Sequence, residues 1–353
     1  MSRIVIVTDA WHPQVNGVVR TIDALRQALI ELDHTVVVIA PDAFPGMPLP
    51  TYPEIRMAVA TPWQVGRRIR EARPDFVHIA TEGPLGWLAR HWCRRHRRSF
   101  TTSYHTRFPE YLSARVPVRE GWIYALLRMF HNAGEACMVA TPSLGRELSE
   151  RGFRHLVPWT RGVDAETFRP RPKDDLGLKR PIFLSVGRLA VEKNLPAFLS
   201  LDLPGSKVVI GDGPERASLE AAFPEAHFLG ARFGDDLARL FAAADVFVFP
   251  SLTDTFGNVV LEALASGVPV AAFPVTGPID IIGDAPVGVL DNDLGHAARA
   301  ALALSPEACR AHALGFTWKA SAGRFLANLM PAEPSGLPRR SKPAQAAGGA
   351  LRL

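Results

Sequence analysis

The chain of 353 residues is long enough for two domains that each bury a core, and its 47% hydrophobic and 21% charged residues are typical of a globular protein. Its net charge of +5 is uneven, because residues 1–170 carry a net +6 and the remainder a net −1. Three widely spaced cysteines (Cys93, Cys137, Cys309) match neither a disulfide framework nor a zinc motif, which favours a reducing, cytoplasmic location. An apolar strand stands at the start in place of a signal peptide, and no apolar run approaches the ~20 residues of a membrane span. We therefore expect neither an exported nor a membrane-spanning protein.

Apolar runs alternate with helical patterns along the first half. Each run is continuously apolar, as is typical of parallel strands buried on both faces, and the stretches between them have helical periodicity. Thr141 and Pro142 are the residue types preferred at a helix N-cap and at the first helical position. The predicted strands are 3–8, 35–40, 76–80, 99–105 and 137–140, and the predicted helices are 18–32, 85–95, 119–134 and 143–151.

The densest positive charge lies in RHWCRRHRR, residues 90–98, at the end of a predicted helix. Basic side chains with an interleaved tryptophan are typical of a surface that binds anions, either lipid headgroups or nucleic acid. A solvated helix end, on which positive charge is favourable by itself, is an equal alternative. No nucleic-acid motif accompanies the run, so an anionic membrane surface is the favoured partner. The candidate lipid-surface residues are Trp92, Arg94, Arg95, Arg97 and Arg98.

A proline-rich, charged stretch, residues 169–181, interrupts the pattern and is typical of an interdomain linker. The second half repeats the alternation, with predicted strands 182–186, 207–210, 227–229, 245–249 and 268–272 and predicted helices 194–201, 215–223, 235–244, 259–265 and 317–329. We expect an α/β fold of two doubly wound, Rossmann-like domains that face each other across a cleft, where the carboxyl ends of the strands bind ligands. The expected segments are a domain at 1–170, a domain at 171–316, a closing helix at 317–332 and a disordered tail at 333–353.

Two loops after predicted strands of the first half hold candidate ligand contacts. Asn16-Gly17 ends the loop after the first strand, and a glycine that opens a helix lets a phosphate or a sugar approach the backbone. The loop has no GxGxxG pattern, which argues against a dinucleotide, and a plain turn glycine is the alternative. His105 ends the strand SFTTSYH, where a histidine can donate to a hydroxyl or to developing charge; the alternative is a structural histidine.

The first loop of the second half holds two cations. Gly187-Arg188 follows the strand 182–186, and Lys193 stands five residues further on, where a helix opens. The planar guanidinium and the compact ammonium together suit a diphosphate.

The segment FPSLTDTFGNVVLEALASGVPV, residues 249–270, places two carboxylates around a helix start. Asp254 lies before the start and Glu262 lies within the helix. The first backbone N–H groups of a helix have no internal partner and bind phosphate well, and here they belong to Gly257, Asn258 and Val259. Carboxylates beside a phosphate suit ligand hydroxyls, so the segment predicts a ligand with both groups.

In chain order the motifs are Asn16-Gly17, His105, Gly162-Val163-Asp164 with Phe168, Gly187-Arg188 with Lys193-Asn194, Gly211-Asp212-Gly213-Pro214, and Asp254-x7-Glu262. Over residues 3–330 they resemble the retaining family-four glycosyltransferases of the GT-B fold. The segments TDTFGNVVLEA, YHTRFPEY and WTRGVD are similar to lipid-directed hexosyltransferases and GDP-mannose-dependent alpha-mannosyltransferases. One position departs from the family, whose paired acids begin with Glu: Asp254 keeps the charge but is one methylene shorter.

The resemblance implies a hexosyltransferase that needs neither metal nor cofactor. Arg188 and Lys193 would hold the donor diphosphate and neutralise it as it leaves, Glu262 would bind the ribose, and Asp254 and His105 would lie against the transferred sugar. The leaving phosphate would accept the acceptor's proton on the same face of the sugar, so no enzymic base is required. The implied catalytic residues are His105, Arg188, Lys193 and Asp254, and the implied donor-binding residues are Asn16, Gly17, Gly187, Gly257, Asn258, Val259 and Glu262.

The expected function is transfer of a hexose from a nucleotide-diphosphate sugar to a lipid acceptor of the diacylglycerol type, by a cytoplasmic protein peripheral to the inner face of the cytoplasmic membrane. Two alternatives stay open: a GDP-mannose-dependent alpha-mannosyltransferase with a glycan or other acceptor, and a sugar-nucleotide epimerase, which would leave the basic run unexplained. An exported, non-enzymatic ligand binder conflicts with the missing signal segment. UDP-glucose, UDP-glucuronate and GDP-mannose all remain candidate donors. The DxD string at Asp291 and Asp293 is interpreted as a solvated turn, with no metal assigned to it.

Overall fold

The computed structural model describes residues 1–14, 16–49, 52–113, 118–174 and 176–332. The tail predicted to be disordered, residues 333–353, lies outside these ranges. The described residues form two six-stranded sheets, one in each half of the chain, and a two-stranded hairpin in the first half.

The first half is built on a parallel sheet. The strands of this half are β1 (Arg3–Val7), β2 (Thr35–Ile39), β3 (Gly46–Leu49), β4 (Tyr52–Ala58), β5 (Phe76–Ile79), β6 (Thr101–Tyr104), β7 (Ala136–Val139) and β8 (Leu156–Pro158). In space the sheet runs β2-β1-β5-β6-β7-β8, and β3 pairs with β4 as the antiparallel hairpin. The apolar residues Ile4 to Val7 of β1 are fully buried, as expected of a central strand covered on both faces.

The helices of the first half cover this sheet. They are α1 (Gly17–Glu31), α2 (Pro62–Ala72), α3 (Pro84–Arg95), α4 (Phe108–Ser113), α5 (Glu120–His131) and α6 (Pro142–Glu150). Side-chain caps fix where several of them begin, because they bind the N–H groups that have no partner inside the helix. Asn16 accepts from Val18 N and Val19 N, both at 3.0 Å, and Thr141 caps α6 with Pro142 in the first turn, as predicted.

The second half repeats the arrangement with strands β9 (Ile182–Val186), β10 (Ser206–Ile210), β11 (His227–Phe228), β12 (Val246–Phe249), β13 (Val270–Ala272) and β14 (Gly288–Leu290). All are parallel, in the order β11-β10-β9-β12-β13-β14, which is the 3-2-1-4-5-6 order of a Rossmann sheet. Its helices are α7 (Leu195–Leu199), α8 (Arg216–Ala222), α9 (Gly234–Ala243), α10 (Asn258–Ala265), α11 (Pro278–Ile282), α12 (Leu294–Ala301) and α13 (Pro306–Ala313). Short 3₁₀ turns occupy Pro41–Ala43 and Val191–Lys193.

The helix α14 (Trp318–Asn328) returns from the second half to pack on the first. Phe325 is fully buried there, with its ring centroid 5.1 Å from Trp159 and 4.9 Å from His78. The chain after α14 then reaches β5, because the Ala332 N–H donates to the Asp75 carbonyl at 2.7 Å. The chain therefore passes between the two halves twice, once after β8 at residues 159–164 and once at α14.

The predicted α/β fold of two Rossmann-like sheets is confirmed, and the differences lie in elements that were not predicted. The β3–β4 hairpin was missed because three prolines within residues 46–58 interrupt the alternation that indicates strands. Helices α2, α4 and α11 to α13 were also missed. Helices α4 and α11 to α13 have only five to eight residues, and α2 is rich in arginine, with only Val65, Gly66 and Ile69 buried.

Candidate functional site

The carboxyl edges of the two sheets face each other across a closed cleft. Helix α1, the loop after β6 and the start of α6 in the first half touch the loop after β12 and the helices α10 and α11 of the second half. The contacts are Thr255 Oγ1 to the His105 carbonyl (2.8 Å), Arg107 Nε to the Asp254 carbonyl (3.1 Å), Asn258 Nδ2 to Thr21 Oγ1 (3.4 Å), Ser143 N to Asp280 Oδ1 (2.9 Å) and Arg20 Nη1 to Glu262 Oε1 (3.4 Å). Several predicted site residues thus meet at this cleft.

Two helix N-termini face each other there. Gly257 has φ +89°, in the left-handed region that favours glycine, and it directly precedes α10. A Cβ placed on Gly17, the first residue of α1, would lie 3.9 Å from Asn258 Nδ2 on α10. The positive ends of both helices therefore point into one space, which favours an anionic group.

Asn16 and the loop that begins at Gly187 lie at this space in different ways. The Asn16 side-chain oxygen caps α1, so its position in the site is that of a helix cap. Gly187 follows β9 and Arg188 is exposed at the start of the next loop. That loop turns through the 3₁₀ segment and brings Lys193 inward.

Lys193 and Asp254 form an ion pair inside the cleft. Lys193 Nζ lies 2.8 Å from Asp254 Oδ2 and 5.9 Å from the centre of the Phe249 ring. Asp254 Oδ1 accepts the N–H groups of Thr255 (2.8 Å) and Phe256 (3.3 Å). Burial alone would raise the pKa of Asp254, but Lys193 and these N–H groups hold it below its ordinary value. Asp254 is therefore ionised at neutral pH.

Asp254 uses both carboxylate oxygens within the protein. Both of its oxygens are engaged by Lys193 and by its own loop, so the carboxylate organises the loop that carries Thr255. Its predicted contact with the hydroxyls of the sugar stays a prediction.

Glu262 presents a buried carboxylate oxygen without a protein partner. The residue is 8% exposed, its Oε1 lies 3.4 Å from Arg20 Nη1, and its Oε2 has no hydrogen bond within the described part of the chain. Burial raises the pKa of Glu262; Arg20 opposes this rise and Asp164 adds to it. A buried oxygen of this kind is costly unless a donor reaches it, so a ligand hydroxyl is a suitable partner.

His105 is buried beside the same loop. It is 7% exposed, its ring packs edge-on to Trp159 at 5.7 Å, and its Nδ1 lies 3.2 Å from Nη2 of Arg161. Its Nε2 is buried with no hydrogen-bond partner among the described residues. Burial, and then the charge of Arg161, holds the pKa of His105 well below its ordinary value. The imidazole is neutral at physiological pH and suits hydrogen bonding better than proton transfer.

Two arginines at the cleft were not assigned from the sequence. Arg107 is nearly buried and binds Glu147 (2.7 Å) and Glu110 (3.0 Å) as well as the Asp254 carbonyl, so it ties the first half to the Asp254 loop. Arg161 contacts His105. Arg107 lies in the motif YHTRFPEY and Arg161 in the motif WTRGVD, and this position within a motif is the sequence feature that could have identified them.

The basic run does not line the cleft, and the role predicted for its arginines at an anionic surface stays a prediction. Helix α3 starts at the carboxyl end of β5 and runs back, so Arg94, Arg95 and Arg97 lie exposed at the opposite edge of the sheet. Arg98 Nη1 donates to the Ala332 carbonyl at 2.9 Å, beside the amino end of β5.

Trp92, predicted as a lipid contact, is a core residue. It is 6% exposed, and a Cβ on Gly66 of α2 would come within 2.0 Å of its ring. The ring also stacks on His96, with centroids 4.7 Å apart. A side chain held between α2 and α3 cannot enter a membrane.

Replacing Trp92 with alanine is expected to lower the free energy of unfolding by about 3–5 kcal/mol, because a large buried ring leaves a cavity. Denaturation in urea, followed by circular dichroism, measures the loss. Trp63, which is 63% exposed on α2, is the matched control, and Trp63→Ala should shift the unfolding midpoint little. Equal shifts for both variants would show that Trp92 is not in the core.

Asp291 and Asp293 belong to a helix-cap turn. Asp293 Oδ1 accepts from His296 N (2.9 Å), and Asp291 Oδ2 contacts His296 Nδ1 (2.7 Å). Within the described ranges, no group of three or more histidine, cysteine, aspartate or glutamate side chains is arranged to hold a metal ion. No helix in those ranges is long and apolar enough to cross a membrane.

Comparison with known proteins covers both halves of the chain. The model for Glycosyltransferase Family 4 matches residues 15–167, and that for Glycosyl transferases group 1 matches residues 180–305. The chain is 33% identical over 315 residues to a GDP-mannose-dependent alpha-mannosyltransferase of Mycobacterium tuberculosis, which covers 82% of this chain and 83% of that protein. It is 26% identical over 351 residues to an alpha-monoglucosyldiacylglycerol synthase of Streptococcus pneumoniae, covering 86% and 79% of the two chains. Sucrose-phosphate synthase from Thermosynechococcus elongatus shares the fold, with a TM-score of 0.75, 19% identity and coverage of 93% and 98%.

Proposed function

Because this chain belongs to glycosyltransferase family 4 and is a glycosyltransferase of the GT-B fold, we propose that it transfers a hexose from a nucleotide-diphosphate sugar to a membrane lipid of the diacylglycerol type, with retention at the anomeric carbon. One observation carries the proposal. The Lys193 ammonium, the Glu262 Oε2 that has no partner among the described residues, and the start of α10 line one cleft, so they supply partners for both phosphates and hydroxyls.

The donor diphosphate is assigned to the positive groups of the cleft. Lys193 supplies a charge in a largely desolvated site, where it acts more strongly than in water. Arg188 approaches from the same loop. The backbone N–H groups at the two facing helix starts complete the cradle, and those proposed to contribute are at Gly17, Gly187, Gly257, Asn258 and Val259.

The hydroxyls of the donor are assigned to the carboxylates and to His105. Glu262 Oε2 accepts from the ribose, since it lacks any other donor among the described residues. Nε2 of His105 faces the transferred hexose, and Asp254 holds Lys193 and its own loop in place for it.

The reaction follows from these positions. The bond between the anomeric carbon and the diphosphate oxygen breaks, the acceptor hydroxyl oxygen attacks from the same face, and its proton passes to the departing phosphate oxygen. Lys193 neutralises the charge that develops on that oxygen. His105 is neutral and holds the sugar, so the chain supplies no separate base in this mechanism.

The lipid surface is proposed to be helix α5, in place of the basic run. Trp122, Leu126 and Met129 repeat at helical spacing and are 75%, 47% and 54% exposed. Exposed Arg119, one turn before Trp122, complements anionic headgroups, whereas Arg128 Nη1 donates to the Arg151 carbonyl at 2.9 Å. The enzyme would then be peripheral to the inner face of the cytoplasmic membrane.

Helix α5 is also connected to the cleft. The Tyr124 hydroxyl on its buried face donates to Glu110 (2.8 Å), which pairs with Arg107, and Arg107 binds the Asp254 carbonyl. A bilayer seated on α5 would therefore lie on the acceptor side of the site.

The double variant Trp122→Ser with Leu126→Ser is expected to lower partitioning onto vesicles of phosphatidylcholine and phosphatidylglycerol by at least about tenfold, since each buried apolar side chain contributes about 1.5–3 kcal/mol. Flotation of the protein with vesicles measures it. Trp63→Ser is the matched control and should float like the wild type. Equal flotation of the double variant and the wild type would remove α5 as the lipid surface.

A second candidate, transfer of mannose from GDP-mannose, is favoured by the 33% identity to a GDP-mannose-dependent enzyme. A donor panel separates the two candidates, because a ligand that binds only the native state raises its melting temperature. UDP-glucose, UDP-glucuronate and GDP-mannose are compared by thermal shift, with the corresponding nucleoside monophosphates as controls. A shift with one sugar nucleotide identifies the donor. No shift with any of them contradicts the donor site, and isomerisation of the donor without acceptor would favour an epimerase.

A further inference from the structure

Arg161 is a buried cation without a carboxylate partner. It follows β8, it is 3% exposed, and no carboxylate of the described residues lies within ion-pair distance of it. Its Nη1 donates to the Trp159 carbonyl at 2.9 Å, and its guanidinium lies 4.1 Å over the Trp159 ring. Burial lowers the pKa of Arg161 to about 9, so the group remains protonated at neutral pH. Burying a cation without a counter-charge is destabilising, which points to a functional role for Arg161.

In the hydrogen bond between Arg161 and His105, only the arginine can be the donor. A guanidinium has donors and no acceptor, so Nη2 of Arg161 must donate to Nδ1 of His105 across their 3.2 Å. A neutral imidazole carries its single proton on the other nitrogen, Nε2. That nitrogen is buried and has no partner among the described residues. It is therefore a buried donor for which the described residues supply no acceptor.

We propose that Arg161 is a positioning residue that holds His105 in the Nε2–H tautomer, so that Nε2 donates a hydrogen bond to an oxygen of the transferred hexose. The inference rests on the proposed function for the identity of the ligand, but the tautomer itself does not. Arg161 also places a positive charge next to the imidazole, which disfavours a second proton on it. His105 then stays neutral and keeps one orientation through the catalytic cycle.

The other titratable groups near His105 do not set its tautomer. His78 on β5 uses both nitrogens elsewhere, on Thr101 Oγ1 and Ser103 Oγ, each at 2.9 Å. His131 on α5 contacts Thr102 Oγ1 and Glu82 Oε1, also at 2.9 Å. Both rings add to the unfavourable field for a charged His105. The Lys193–Asp254 pair lies on the loop that binds the His105 carbonyl through Thr255. Of these groups, only Arg161 forms a hydrogen bond with the His105 ring.

The direct test is the ¹⁵N spectrum of the full-length protein labelled at histidine, in which long-range couplings distinguish the tautomers. The His105 signal, assigned by its loss in His105→Gln, is expected to show the Nε2–H form and to stay unchanged from pH 5 to pH 8. A His105 that carries its proton on Nδ1, or that titrates within this range, would overturn the proposal. This reading needs no substrate and no variant of Arg161, so it stands apart from any failure of the proposed transferase activity.

Variants test whether Arg161 fixes the tautomer of His105. Arg161→Met is expected to leave His105 neutral, because burial, the larger cause of its lowered pKa, remains, but to let its proton move between Nδ1 and Nε2 and to lower kcat/KM by about 10²-fold. Arg161→Lys retains a donor and should restore most of the tautomer signal. In a His105→Gln background, where the amide keeps a donor in place of Nε2–H, Arg161→Met should cost less than about threefold, because the two residues act as one unit.

Arg90 is the matched control. It is also a buried arginine, with its guanidinium 5.0 Å over Trp87 and its donors on the carbonyls of Phe130 and Met129. Arg90→Met should leave the His105 spectrum and kcat/KM unchanged. A His105 signal that is the same in Arg161→Met as in the wild type would show that Arg161 does not set the tautomer.

Discussion

Replacing Lys193 with alanine is expected to lower kcat by about 10²–10³-fold, the loss typical when one preorganised charge is removed from a developing anion. The Lys193 side chain is 25% exposed and its ammonium lies 2.8 Å from Asp254, so its charge is only partly screened by water. Initial rates of nucleoside diphosphate release, measured with saturating donor and acceptor, report the change. The free energy of unfolding should fall as well, because Asp254 loses its charged partner.

Two further variants separate charge from structure. Lys193→Gln retains a hydrogen-bond donor for Asp254 Oδ2 without the charge, and it should be nearly as slow as Lys193→Ala. Lys173→Ala removes a similar lysine–aspartate pair, that with Asp245, at the far edge of the same sheet, and should leave kcat unchanged. If Lys193→Gln kept more than half of the wild-type rate, the ammonium would not be the group that stabilises the leaving phosphate.

Replacing Glu262 with glutamine is expected to weaken donor binding by about 10- to 100-fold, since a hydrogen bond to a charged group contributes about 1.5–3 kcal/mol. The same substitution should not lower the free energy of unfolding, because it removes a buried carboxylate whose Oε2 has no partner among the described residues. Isothermal titration with the donor and urea denaturation measure the two effects.

The effect of Glu262→Gln on the free energy of unfolding depends on pH, and the sign of this dependence follows from the pKa shift of Glu262. Because burial raises the pKa of Glu262 in the folded state, this residue ionises at a lower pH in the unfolded chain. The free energy of unfolding of the wild type therefore falls as the pH rises above about 4.5, the ordinary pKa of a glutamate. The stability of Glu262→Gln relative to the wild type should therefore increase from pH 4 to pH 7. Exposed Glu225 in the same half is the control, and Glu225→Gln should change neither binding nor this trend. Unchanged donor affinity in Glu262→Gln would end its assignment to the ribose.

The sequence predicted where chemistry would lie because of one regularity. His105, Lys193 and Asp254 each follow an apolar run that ends in a loop, and the carboxyl ends of parallel strands meet at one edge. The structure places all three at the cleft, together with Gly17 and Glu262. Local patterns were sufficient for this, since strand ends and helix starts depend on nearby residues.

The partners of these residues could not be read in the same way. Lys193 and Asp254 are 61 positions apart, and Arg161 reaches His105 over 56 positions, so each pairing depends on how the elements pack. Trp92 shows the same limit, since its composition-based role as a lipid contact failed once α2 covered it. Residue type predicts chemistry, but packing decides which side chains meet.

The most direct measurement supplies the purified protein with each sugar nucleotide in turn and with diacylglycerol vesicles, and follows nucleoside diphosphate and glycolipid together. One donor is expected to give the two products in equal amounts, with the glycolipid carrying the same anomeric configuration as the donor sugar. Inverted configuration would contradict same-face transfer. The absence of both products with every donor and with a total lipid extract would contradict the assignment of this cleft to hexosyl transfer onto lipid.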